Sequence, residues 1–194
     1  MKTDNKLKGR DLINIGIYAA IYFVILFAVA MLGMIPIFLP LLSVLVPILG
    51  GIPFMLFLTK VKKPGMIFIF AMIMGILMLL TGMGPWPLLT CAAAGILSEL
   101  VLKSGNYKSV KKSILAYGVF SMWIWGNYLP LFTDYEGYFA QRESYGQAYI
   151  DAVQRLMPVW MAPVLLAACF VCGIIGGNLG RALLKKHFEK AGIV

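Results

Sequence analysis

Charge is scarce in this chain. Only 13% of its 194 residues are Asp, Glu, Lys or Arg, against about 25% in a soluble domain. That shortage excludes an ordinary water-facing fold. Histidine is nearly missing: His187 stands alone in a basic tail, so neither a His-based zinc site nor a His acid–base pair can be assembled. The three cysteines, Cys91, Cys169 and Cys172, all lie inside apolar runs, which excludes a disulfide framework. Cys169-x-x-Cys172 has metal-like spacing, but no second pair or nearby His completes it; a free Cys there acts as a small hydrophobe. No H-E-x-x-H, G-x-S-x-G or Walker A pattern occurs. No apolar run carries a central pair of acids or a series of arginines, the usual signals of ion coupling and voltage sensing. The two halves show no obvious internal repeat of the transporter kind. No catalytic residue, metal or cofactor is assigned. The chain reads as a binder without its own energy source.

What fills the chain instead is hydrocarbon. Residues of the hydrophobic class make up 61%, and the mean hydropathy is +0.87. Apolar runs cover about 12–33, 40–59, 65–82, 87–102, 113–131 and 158–180. A bilayer core needs roughly 20 apolar residues per helix. The expected fold is therefore an all-α integral membrane protein, one transmembrane domain over 1–194. It has six membrane helices and a short extracellular amphipathic helix between the fifth and sixth. The first run follows Lys2, Lys6, Lys8 and Arg10 and is too long for a signal-peptide core. The second contains Pro47, Gly50, Gly51 and Pro53, so a kink is expected, either structural or lining a cavity. Glu99 stands four residues before Lys103, a spacing that pairs them near the interface. Gly173/Gly177 and Gly176/Gly180 repeat at close-packing spacing in the last run.

A net charge of +9 could suggest nucleic acid, but the positions of the charges argue for topology. All but Arg142 and Arg155 of the 17 Lys and Arg fall in the N-terminus, the 60–63 link, the 103–112 loop and the C-terminal tail. With six spans these regions share one face, which the positive-inside rule makes cytoplasmic. Both termini then lie on the cytoplasmic side of the plasma membrane, and residues 132–157 are extracellular.

The informative stretch is Trp123 to Pro158. It holds four of the eight acids, Asp134, Glu136, Glu143 and Asp151, beside Arg142 and Arg155. Aromatic faces, carboxylates and guanidinium groups together recognise a small polar, ring-bearing molecule. Ser144-Tyr-Gly-Gln147 fits a capping box. A helix over about 145–156 would align Tyr145, Tyr149, Val153 and Leu156 on one face.

Size, six spans, Gly16-x-x-x-Ala20 on the first helix and Trp-x-x-Gly-Asn-Tyr-x-Pro with Ser-Tyr-Gly-Gln-Ala-Tyr resemble the substrate-binding S components of energy-coupling-factor (ECF) transporters. They look most like the Trep_Strep branch, over nearly the whole chain. The resemblance implies a bacterial, vitamin-like micronutrient importer. Its partners would be a transmembrane coupling subunit (T component) and two cytoplasmic ABC ATPases, which make the binding subunit topple in the bilayer. It implies docking through Gly16, Ala19 and Ala20. It also places the site at the outer helix ends and loops. Trp86, Trp123 and Trp160 would supply aromatic walls there. Asn127, Tyr128, Tyr138 and Tyr149 would supply hydrogen bonds, and Asp134, Glu136, Arg142 and Arg155 charge.

Within that set, Trp123 is expected to form a stacking wall, Asn127 to give directional hydrogen bonds and Arg155 to act as countercharge. Trp123 and Trp125 point to different faces, so only one can line a cavity. Two other classes stay open on the sequence: a self-sufficient channel or carrier, and a membrane enzyme or assembly factor.

Overall fold

In the computed structural model, which describes residues 7–60, 62–140, 142 and 144–188, nine α-helices and no strand occur among the described residues. Lys2, Lys6, Glu143 and Lys190, used above for charge, lie outside them, as does the His187 side chain. The helices are α1 (Gly9–Ala30, closing in a 3-10 turn, Met31–Met34), α2 (Phe38–Lys60), α3 (Met66–Leu80) and α4 (Trp86–Lys103). Then come α5 (Val110–Ser121), the short α6 (Leu129–Thr133) and α7 (Tyr135–Ala140), α8 (Gln147–Leu156) and α9 (Met161–Leu183).

Among the described residues four stretches are long and apolar enough to cross a membrane: Gly9–Met34, Phe38–Lys60, Trp86–Lys103 and Met161–Lys186. Helix α3 is shorter, 15 residues, or about 22 Å at 1.5 Å per residue. Helix α5 has 12 residues but runs on as a six-residue 3-10 segment, Met122–Asn127. At roughly 2.0 Å per residue in that segment, the pair reaches about 30 Å.

Packing neighbours run α1–α2–α9–α5–α4–α3 and close back on α1. Of these four stretches the one in α2 is the most enclosed: 61% of its most apolar window is buried, against 22% for that of α1 and 33% for that of α9. Aromatic rings fill the middle of the ring of helices. Phe54 lies 4.6 Å from Phe120 and 4.8 Å from Tyr117, Phe57 lies 4.9 Å from Phe70, and Tyr22 meets Phe70 edge-on. Such tilted and edge-on pairs are the favoured aromatic geometries.

The glycines of α2 and α9 serve one seam. A Cβ added at Gly51 would collide with the backbone of Gly176, one at Gly176 with the Pro47 carbonyl, and one at Gly180 would sit 2.5 Å from the Gly51 oxygen. The two backbones therefore touch. Pro47 lies inside α2, buried, and its carbonyl accepts a 2.6 Å bond from the Tyr117 hydroxyl. The proline-bearing stretch is a packing surface for α9.

Basic residues gather at one end. Lys63 pairs with Asp11 at 2.6 Å, tying the α2–α3 link to the start of α1. Glu99 does not need Lys103: its carboxylate accepts from the Ile67 N–H at 2.9 Å and from the Tyr107 hydroxyl at 2.8 Å. It thus satisfies an open donor in the first turn of α3, where a carboxylate is favoured. Burial and that neighbouring carboxylate raise the Tyr107 phenol above its ordinary range.

Candidate ligand-binding site

At the end away from the basic residues, the helices part around an inner cavity of about 200 Å³. Leu26, Phe27 and Ala30 of α1, Leu39, Leu42 and Val46 of α2, and Met78 of α3 form its walls. Ile124, Asn127 and Tyr128 come from the end of the α5 rod, and Tyr138 and Tyr145 close the top. Apolar walls with a few placed polar groups are the usual form of a small-molecule site. Among the described residues no charged side chain lines it.

The polar groups are fixed from behind. The Asn127 amide donates to the Ile124 carbonyl at 2.9 Å, and the Tyr128 hydroxyl to the Leu39 carbonyl at 3.1 Å. The 3-10 winding of Met122–Asn127 aims Asn127 inward, and Pro130, which has no N–H to donate, falls in the first turn of α6.

Helices α7 and α8 form a roof. The Tyr149 hydroxyl donates to the Gly33 carbonyl at 2.5 Å, and the Tyr135 hydroxyl to the Ile150 carbonyl at 2.5 Å. Tyr145 and Tyr149 stack at 4.4 Å, with Phe139 edge-on to both. Val153 and Met157 are buried below. Burial raises the Tyr138 and Tyr149 phenols, keeping both neutral and able to donate. Gly146 caps α8 without a side-chain bond. The expected Ser144–Gln147 capping box therefore does not form, and Gln147 donates to Asp151 instead, at 2.8 Å.

A second, outer cavity of about 180 Å³ adjoins the first. Trp86, Asp134, Tyr138 and Arg142 line it, with the turn Gly82–Pro85 and Pro130. Met83 and Tyr138 belong to both cavities and form the partition. Gly82 and Gly84 hold φ of 81° and 79°, a left-handed conformation that glycine adopts without strain. They set Met83 between the two spaces. Arg142 lies 3.9 Å above the Tyr138 ring and donates to the Tyr138 carbonyl at 2.9 Å and the Gly82 carbonyl at 3.0 Å.

A family model described as "Hypothetical bacterial integral membrane protein (Trep_Strep)" matches residues 9–190. The chain belongs to the Trep_Strep family. No curated protein and no solved structure matches this Trep_Strep chain.

Of the residues the sequence singles out, Asn127, Tyr128 and Tyr138 meet at the inner cavity, and Trp86, Asp134, Tyr138 and Arg142 at the outer one. Tyr149 holds the roof. Trp123 is fully buried in the core and lines neither cavity. Trp125 also turns away, donating to the Ala162 carbonyl at 2.8 Å. Glu136, Arg155 and Trp160 are exposed and line neither space. On α1, Ala19 is buried, while Ala20 faces outward and a side chain added at Gly16 would meet nothing. The sequence reading missed the α1–α3 walls of the Trep_Strep cavity. Leu26, Leu42, Val46 and Met78 look like any membrane-core residue, and only the proline- and glycine-bearing second run reads as a possible cavity wall.

Proposed function

We propose that this Trep_Strep chain is the substrate-binding subunit, or S component, of an ECF-type importer. One observation carries the reading. A mostly apolar cavity with a few oriented polar groups lies at the end opposite the basic residues. In this reading α1, α2, α3, α4, the α5 rod and α9 all cross the plasma membrane. Both termini are cytoplasmic by the positive-inside rule, and the cavity with its α6–α8 roof faces outside. The ligand is a vitamin-like, ring-containing micronutrient. Planar rings suit a space lined by Phe27, Tyr128, Tyr138 and Tyr145.

The chain performs no chemistry in this scheme and takes its energy from partners. A transmembrane coupling subunit, driven by two ABC ATPases, would dock on the outer face of α1. There Gly16 and Ala20 make a low strip between Ile13, Ile17 and Val24, which are 65%, 50% and 65% exposed. Small residues at that spacing let another helix approach closely in lipid.

Native mass spectrometry of the purified chain tests the reading: a small molecule should be retained and lost on denaturation. Reconstituted alone, the chain should bind it without ATP-driven uptake. Net transport by the chain alone in liposomes would overturn the proposal in favour of a carrier.

A further inference from the structure

The two cavities differ in one decisive respect. Among the described residues the inner one is lined by no ionisable group other than tyrosine phenols. The outer one, across the Met83–Tyr138 partition, holds Arg142 and Asp134. A ligand charge placed in the inner space would be desolvated without a partner, at a cost of several kcal/mol. A charge in the outer space would meet a guanidinium.

Arg142 is unusual in how it is held. It is half-buried, yet among the described residues its bonds go to neutral acceptors: the Tyr138 and Gly82 carbonyls, the Tyr138 ring face and, at 3.9 Å, the Met83 sulfur. Among the described residues no carboxylate pairs with it. Asp134 shares the cavity but spends one oxygen on the Gly137 N–H at 3.0 Å. Bonds from a guanidinium to an ionised acceptor are roughly twice as strong as bonds between neutral groups, and a carboxylate can take two at once. An arriving anion therefore outcompetes a backbone carbonyl for the same donors. Those carbonyls belong to the turn that carries Met83 and to Tyr138 itself, so the group that binds the anion also braces the partition.

We propose that the ligand is an amphiphile, with an apolar, ring-sized body in the inner cavity and an anionic head held by Arg142 in the outer one. Met83 and Tyr138 lie between the two. The inference rests on the binding-subunit reading and names its substrate class. It moves the countercharge from Arg155, which is exposed and outside both cavities, to Arg142. Met83 is the flexible member of the partition: an unbranched thioether can swing aside where a ring cannot. Arg142, by leaving the Gly82 carbonyl for the ligand, would release the turn that holds it.

The test uses a matched pair of probes on the full chain in detergent: 3-phenylpropanoate and its neutral amide, titrated by calorimetry. The carboxylate should bind about tenfold or more tighter than the amide, given the stronger bonds to an ionised acceptor. Arg142→Gln should bring that ratio to about one, and Arg142→Lys, which keeps the charge but loses the fork, to an intermediate value. Arg155→Gln should keep the full ratio. Melting curves without probe show that each variant is folded. Equal affinities in the wild type, a ratio lost in Arg155→Gln rather than Arg142→Gln, or no binding of either probe at millimolar concentration would each overturn the assignment. A retained native ligand without an anionic group would overturn it too, while leaving the binding-subunit reading intact.

Discussion

Tyr149→Phe tests the roof with the least disturbance. The ring stays, so its 4.4 Å stack on Tyr145 and its contact with Phe139 are kept. Only the hydroxyl is lost, and with it the 2.5 Å bond to the Gly33 carbonyl that ties α8 to the turn after α1. A hydrogen bond of this kind contributes about 0.5–1.5 kcal/mol net. If the roof opens as a local unit, its open population should rise by about 2- to 13-fold, from the same range and RT of about 0.59 kcal/mol. Hydrogen exchange read by mass spectrometry measures this directly. Amides of Gln147–Leu156 should exchange faster by that factor, while those of Met161–Leu183 should not change. Ligand release should quicken in parallel, because opening precedes departure. Unaltered exchange in α8, or an equal rise across α8 and α9, would refute the idea that the Tyr149 hydroxyl holds a separately opening roof.

Gly176→Ala should lower thermal stability by about 1–3 kcal/mol, the usual cost of overpacking, because its methyl meets the Pro47 carbonyl; an unshifted melting temperature would contradict the seam. Gly16→Leu and Ala20→Leu should bind ligand as the parent does but fail in uptake with the coupling subunit and ATPases; normal uptake by both would remove α1 as the docking face. In a chain without native cysteines, an impermeant maleimide should label Gly146→Cys in intact cells and not Lys108→Cys, and the reverse pattern would invert the topology. Lys108 is the better inner position because Ser109 caps α5, accepting from the Lys112 N–H.

Much of the architecture was legible because the bilayer imposes its own ruler. Runs expected at 87–102 and 158–180 became Trp86–Lys103 and Met161–Leu183. The prolines and glycines of α2 were visible in the sequence, but not their use: only the structure shows that Gly51 and Gly176 bring two backbones together. The last turns of the fifth run were misread as plain α-helix. Nothing in Met122–Asn127 announces the tighter 3-10 winding, which buries Trp123 in the core. The same packing explains Trp123. A tryptophan near a helix end suggests a wall or an interfacial anchor, and whether it turns inward is decided by neighbours far away in sequence. In the Tyr-rich stretch the helical spacing of Tyr149, Val153 and Leu156 made a short helix readable, but not what its face covers. Its partner, the Gly33 carbonyl, carries no side chain and so left no trace in the pattern.

The α2–α9 seam bears on which parts of this molecule can take two shapes. Packed helices usually switch between arrangements by re-seating side chains in new grooves, and that is what makes such contacts bistable. Where Gly51 and Gly176 meet main chain to main chain, there are no side chains to re-seat and no alternative groove. That pair behaves as a keel: it can tilt with the whole body in the bilayer, but it cannot bend to reshape the cavity. A change in the shape of the cavity would then fall to the walls outside that seam, among them the tyrosine-pinned roof and the turn around Met83.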